Sequence, residues 1–174
     1  SQQSADRLEQ LNGDALEHFY KAGISFTVYS DAENTQRVIP FDIIPRIINT
    51  KEWRILESGC AQRIRALNAF LHDIYHQQNI IRAGIIPAVQ IMNNDCFQPW
   101  MLGKQLAGQV YAQVSGIDLV RDGEGNYCVL EDNLRTPSGV SYMLESRRIS
   151  EQLMPDMFSC QKILGVEDYP QLLK

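Results

Sequence analysis

The sequence predicts an α/β chain of the α+β kind, with a mixed or antiparallel sheet flanked by helices. Three stretches carry that prediction. Residues 110–141, VYAQVSGIDLVRDGEGNYCVLEDNLRTPSGVS, read as strand, tight turn, strand and a polar Pro/Gly loop. Residues 50–78 place apolar side chains at three- and four-residue steps, the period of one helical face. ISFTVY at 24–29 is rich in β-branched and aromatic residues and leads through DAENTQ to RVI, which predicts a second hairpin.

With 174 residues, 44% hydrophobic and 21% charged, the chain is long enough for one packed domain or two small lobes. A formal charge of −5 lacks the basic excess that a nucleic-acid surface needs, so no nucleic-acid partner is expected. No apolar run approaches a membrane span, and the N-terminus carries no basic and apolar leader. The expectation is a cytoplasmic protein with no membrane partner. Cys60, Cys96, Cys128 and Cys160 are widely spaced, with no CxxC pair. Four cysteines leave disulfides open, but nothing suggests secretion, and they are read as reduced thiols.

Taken in order, residues 1–12 are polar and are expected to be frayed or a short helix. Residues 13–22 follow as a helix with Asp14 as its N-cap and Gly23 as its stop. Pro40 and Pro45 bracket an apolar crossing in which Ile43, Ile44, Ile47 and Ile48 are expected to be buried. Asp42 and Arg46 there are either functional or engaged in a local turn bond or ion pair. Asn49, with Glu52 three residues later, is a capping box opening the longest helix, and Gly59 is a candidate kink. Its predicted apolar stripe runs through Trp53, Leu56, Cys60, Ile64, Leu67, Leu71 and Ile74. Its polar face carries Arg54, Gln62, Arg63, Arg65 and Asn68, either a solvated face or cations for an acidic ligand. His72 and His76, at i and i+4, are either zinc ligands or cations at a helix end. Residues 88–92 fit a short strand or helix. Phe97 and Trp100 flank Pro99 as packing or as a ligand wall. Residues 142–154 read as a helix stopped by Pro155.

The hairpin holds the polar residues of most interest. Residues two apart on a strand share a face, so Tyr127, Val129, Glu131 and Asn133 are expected together. A loop over 123–126 would pair Asp122 with Tyr127, Val120 with Val129, and Asp118 with Glu131. Two carboxylates directly opposite each other repel. Either they are solvated on an open sheet face, or a hard divalent cation held by oxygen ligands offsets the repulsion. Asp118, Glu131 and the Asn133 amide oxygen suit Mg²⁺ or Mn²⁺ and offer nothing soft enough for a zinc site.

Asp118, Glu131 and Asn133, with Pro137-Ser138-Gly139 after them, resemble the metal-binding hairpin of ATP-grasp ligases. The fuller string GIDLVRDGEGNYCVLEDNLRTPSGVSYMLESR is similar to the circularly permuted, glutathionylspermidine synthase-like branch. RVIPFDIIPRII and QRIRALNAFLHDIYHQQNIIRAGIIP resemble the same family, so the likeness covers residues 15 to 160. It implies an ATP-dependent ligase joining a carboxylate to an amine through an acyl phosphate, with ATP and Mg²⁺ (or Mn²⁺) as cofactors. It implies metal ligation by Asp118, Glu131 and Asn133. Arg135 would stabilise the transferring phosphoryl group, the alternative being an ion pair with Asp132 or Glu145. Ser138 and Gly139 would bring backbone N–H groups to phosphate or substrate. Partners implied are small-molecule or peptide carboxylates and amines, with transglutaminase-like companion proteins. The same likeness divides the chain into a region preceding the ATP-grasp core, 1–109, and a metal hairpin with its following helix, 110–174. Neither a Gly-rich phosphate loop nor a strand-borne nucleotide lysine is present in these residues, and Leu134-Arg135-Thr136 separates Asn133 from Pro137, unlike the usual pattern. The chain is therefore expected to be the N-terminal part of a longer enzyme, inactive alone. The rival is a scaffold module that keeps the hairpin as architecture.

Overall fold

A computed structural model describes residues 2–29 and 34–173. Its elements in chain order are α1 (Gln2–Lys21), β1 (Ser25–Tyr29), β2 (Asn34–Val38), α2 (Thr50–Tyr75), α3 (Asn79–Arg82), α4 (Ala88–Met92), β3 (Gly116–Arg121), β4 (Tyr127–Asn133), α5 (Val140–Leu153), α6 (Pro155–Cys160) and α7 (Tyr169–Leu172). The described strands form two separate antiparallel hairpins, β1–β2 and β3–β4. The expected combination of helices and an antiparallel sheet is thus present. None of the described helices is long and apolar enough to cross a membrane. The chain divides into two compact units, Ser1–Ile47 with Ser138–Lys174, and Ile48–Pro137. The β3–β4 hairpin groups with α2, so this division differs from a boundary at 109/110.

In the first unit, α1 is one continuous helix: the polar stretch expected to be frayed or a short helix is helical from Gln2 and runs on into the helix expected over 13–22. Leu11, Ala15 and Phe19 fall on one stripe, and Ala15 and Phe19 are fully buried with Ile43 and Ile149. That burial carries the helix through Gly13, and Asp14 lies in its interior rather than at its cap. Gly23 ends α1 in the left-handed region at φ 68°. Its N–H donates to the Tyr20 carbonyl and the Ile24 N–H to the Phe19 carbonyl, both at 3.0 Å. This is the paired-bond helix stop that glycine permits. Phe19 also meets Phe41 with ring centroids 5.0 Å apart. Of the four isoleucines expected inside the crossing, only Ile43 is buried, while Ile44 is 63% exposed and Ile47 70%; Ile48 opens the second unit and is exposed as well. Asp42 accepts the Ile44 N–H at 2.9 Å, a local turn that directs Ile43 alone inward. Of the expected DAENTQ turn, residues 31–33 lie outside the described residues, and Asn34, Thr35 and Gln36 belong to β2 rather than to the turn. Pro155 begins α6 at its first turn, where a missing N–H is harmless.

In the second unit, α2 opens on the expected capping box. Asn49 Oδ1 accepts the Lys51 and Glu52 N–H groups at 3.0 Å, and Glu52 Oε2 accepts the Asn49 N–H at 3.1 Å. The helix runs through Gly59 without a break. Along its expected stripe only Ile74 is buried, and Trp53 is exposed. The segment 88–92 is helical. Phe97 stacks on Tyr75 with centroids 5.1 Å apart, which makes it packing.

Candidate metal-binding face of the β3–β4 hairpin

The turn is built by Asp122. Its Oδ1 accepts the Glu124 N–H at 3.0 Å and the Asn126 N–H at 2.7 Å, and its Oδ2 accepts Asn126 Nδ2 at 3.1 Å. The Asn126 side chain and these N–H groups hold the Asp122 carboxyl below the ordinary aspartate range. The Asp122 N–H donates to the Asn126 carbonyl at 2.9 Å, so the loop is one residue longer than the 123–126 loop expected from the sequence.

That extra residue shifts the near end of the ladder. Arg121 pairs with Tyr127, Val120 with Cys128 and Leu119 with Val129, replacing the expected Asp122–Tyr127 and Val120–Val129 pairs. Asp118 nevertheless lies opposite Glu131, and Gly116 opposite Asn133, because the register shifts between Asp118 and Leu119. Leu130 is the unpaired residue, a β-bulge that leaves it 67% exposed. The bulge also changes which side chains share a face. Tyr127 and Val129 are aligned with Leu119 and Arg121, whereas Glu131 and Asn133 are aligned with Asp118 and Gly116. A strict two-residue period had joined Tyr127 and Val129 to Glu131.

The two faces have different surroundings. Ile117, Leu119, Tyr127 and Val129 look across an open groove of about 410 Å³ to Ile55 and Cys60 of α2. Ion pairs bridge the groove on both sides of the bulge. Arg121 Nη1 lies 3.0 Å from Glu52 Oε1. Arg63 grips Asp132 through two bonds of 2.7 Å, Nε to Oδ1 and Nη2 to Oδ2. This fork-to-carboxylate bond holds the Asp132 carboxyl below its usual range and the Arg63 guanidinium above its own.

Asp118, Glu131 and Asn133 lie on the opposite, exposed face and do not line the groove. Asn133 Nδ2 donates to Glu131 Oε1 at 3.0 Å, and among the described residues the Asn133 amide oxygen and the second Glu131 oxygen accept no hydrogen bond. Neither Asp118 nor Glu131 has an ion-pair partner among the described residues. Two opposed carboxylates and an amide oxygen, all exposed and without a protein cation, form a donor set suited to a hard divalent ion. Gly116 completes the face. A Cβ there would stand 3.2 Å from Pro137 Cβ and 3.5 Å from Asn133 Cβ, so its side-chain-free backbone leaves room for the amide. Sequence reasoning passed over Gly116, although a glycine inside a strand commonly marks a close approach.

Arg135 is exposed. The two acids named as its alternative partners are engaged elsewhere, Asp132 with Arg63 and Glu145 with Arg148. Ser138 and Gly139 belong to the first unit, where Gly139, at φ 93°, caps α5 without a side-chain bond. The approach to β3 is held from α2. Asn68 Oδ1 accepts the Tyr111 and Ala112 N–H groups at 2.7 and 3.0 Å, and its Nδ2 donates to the Ile64 carbonyl at 3.0 Å. His72 Nδ1 is 3.0 Å from the Tyr111 hydroxyl, and His76 Nδ1 is 2.9 Å from the His72 carbonyl oxygen. The polar face of α2 is therefore partly structural, through Arg63 and Asn68.

The family model described as "A circularly permuted ATPgrasp" matches residues 45–174. The chain is similar to an uncharacterised protein of Synechocystis sp., 45% identical over 172 residues, covering 99% of this chain and 36% of that protein. An uncharacterised protein of Mycobacterium leprae is 42% identical over 151 residues, covering 87% of this chain and 26% of its own length. A Frankia casuarinae protein with a provisional glutamate–cysteine ligase name is 42% identical over 152 residues, 87% of this chain and 17% of its own. The chain thus spans about a third or less of the length of these curated relatives. The matched segment includes α2, the bulged hairpin and α5. On this match the chain belongs to the circularly permuted ATP-grasp family.

Proposed function

We propose that this chain is the metal-bearing portion of an ATP-dependent ligase that joins a carboxylate to an amine. The observation that carries the reading is the pairing of Asp118 with Glu131, beside Asn133, on an exposed face where neither acid has an ion-pair partner among the described residues. Family membership and the ligase name of the Frankia relative support the reaction class.

Asp118, Glu131 and Asn133 would hold Mg²⁺ or Mn²⁺. Among the described residues no three His, Cys, Asp or Glu side chains form a metal cluster, so the remaining ligands come from Asn133, water and substrate oxygens. When bound, the cation neutralises charge on the ATP phosphates. In the reaction, a carboxylate oxygen attacks the γ-phosphorus, ADP leaves and an acyl phosphate forms. The amine nitrogen then attacks the carbonyl carbon, phosphate leaves, and the nitrogen gives up a proton to yield the amide. Arg135 would stabilise the transferring phosphoryl group, a role suited to a guanidinium. Ser138 and Gly139 would present backbone N–H groups to phosphate or substrate oxygens.

The test uses a protein of the relatives' full length that carries this segment. ADP release that requires a carboxylate, an amine and Mg²⁺, and that is lost in Glu131→Ala with the fold intact, supports the ligase. Absence of nucleotide binding and turnover in the intact protein favours the scaffold reading.

A further inference from the structure

We propose that Arg63 is a positioning residue for the acidic face, acting through its two-pronged grip on Asp132. This rests on the reading of Asp118, Glu131 and Asn133 as the metal-binding set.

Asp132 stands between Glu131 and Asn133 in the strand and points to the opposite side, pairing with Ile117 in the ladder. The run Glu131-Asp132-Asn133 thus presents either Glu131 and Asn133, or Asp132, to the outer face. A change of phase by one residue exchanges them. The near half of β4 does not decide between the two. Tyr127 and Val129 face α2, and a regular strand continuing from them would turn Glu131 and Asn133 toward the helix as well. The bulge at Leu130 separates the two halves, so the far half needs its own anchor. Among the described residues, that anchor is Arg63 on α2, 69 residues away in sequence, bonded through both nitrogens to both Asp132 oxygens at 2.7 Å. The Asp132 side chain is only 14% exposed and that of Arg63 43%, so the bond is directed inward from the groove rim. Arg121 of β3, level with Tyr127, ties the near half to α2 by a single contact, 3.0 Å to Glu52, on the other side of the bulge. The two ion pairs therefore predict different consequences for the acidic face.

The experiment compares the chain with its Arg63→Ala, Arg63→Lys and Arg121→Ala variants. Mn²⁺ affinity is followed by electron paramagnetic resonance, and urea midpoints and cross-strand nuclear Overhauser contacts are recorded alongside. Arg63→Ala is expected to weaken Mn²⁺ binding about 10-fold, the scale seen when a residue that orients ligands is removed, with little movement of the urea midpoint. Arg63→Lys, which keeps the charge without the fork, falls between. Arg121→Ala binds Mn²⁺ within about twofold of the parent, a difference small on that same scale. Equal losses in Arg63→Ala and Arg121→Ala, or no loss in Arg63→Ala, overturn the proposal. If the parent chain itself does not bind Mn²⁺, the metal reading fails on its own account. The register then decides the positioning claim: loss of the Asp118–Glu131 contact in Arg63→Ala, but not in Arg121→Ala, supports it, and retention in both overturns it.

Discussion

Among the described residues, Asn68 is the side chain of α2 that accepts the backbone N–H groups of the approach to β3, and replacing it by alanine removes both bonds. Its Oδ1 accepts from Tyr111 at 2.7 Å and from Ala112 at 3.0 Å. Ala112 is 6% exposed, so its N–H is poorly placed to exchange the lost bond for water. Each such bond contributes about 1 kcal/mol net, and a buried donor left unmade costs more, so the variant should lose about 2 kcal/mol. By the tenfold-per-1.4 kcal/mol relation, that is about a 30-fold loss of amide protection at Tyr111 and Ala112. For a unit of this size it also lowers the urea midpoint by about 1–2 M. Hydrogen exchange read residue by residue is the assay. Asn68→Asp keeps the acceptor and should retain protection at both amides while losing the bond to the Ile64 carbonyl. Unchanged protection at Tyr111 and Ala112 in Asn68→Ala, or an equal loss along all of α2, refutes the clamp.

Glu131→Gln keeps the oxygen that accepts from Asn133 but removes the charge opposite Asp118. In metal-free, low-salt buffer it should stabilise the hairpin by about 0.2–1 kcal/mol, a gain that shrinks at high salt; a loss of stability in thermal melts would contradict the unscreened pair. Asp122 has a depressed folded-state pKa, so its contribution is present above the unfolded value of about 3.9 and is lost as pH falls through the folded value. The Glu124 and Asn126 amide resonances should accordingly shift at acid pH, and Asp122→Asn should abolish that titration. Phe19→Ala empties the centre of the first unit and should cost about 3–5 kcal/mol. The loss should register in the Ile43 and Ile149 methyl signals, which report on the same core.

Local signals in the sequence carried well where the bond spans few residues. The Asn49–Glu52 capping box and the Gly23 stop each close within one helical turn, and residue type alone is enough to specify them. The opposition of Asp118 and Glu131 was also legible: the expected turn brings them level, whereas the observed turn, one residue longer, does so only together with the bulge at Leu130. The bulge at Leu130 was not, because a two-residue period contains no mark of an inserted residue. Its effect is to move Tyr127 and Val129 away from the acids. Arg63 read as one of several cations on a polar helix face; its bond to Asp132 depends on how a distant hairpin is placed. Asn68 was hidden for the same reason. The exposed Ile44 and Ile47 show the opposite limit: apolar character predicts burial only where a neighbouring element supplies the cover.

The most direct test of the account is Mn²⁺-induced line broadening, titrated below stoichiometry into the isotope-labelled chain and into Glu131→Ala. Paramagnetic broadening reports a weak site as well as a strong one, and it reports its place. The account predicts early, selective loss of the amide signals of Asp118, Glu131 and Asn133, with the Ile55 and Cys60 signals across the groove little affected, and disappearance of that selectivity in Glu131→Ala. Broadening centred elsewhere, such as on His72 and His76, or an unchanged pattern in Glu131→Ala, would contradict the hairpin as the metal site.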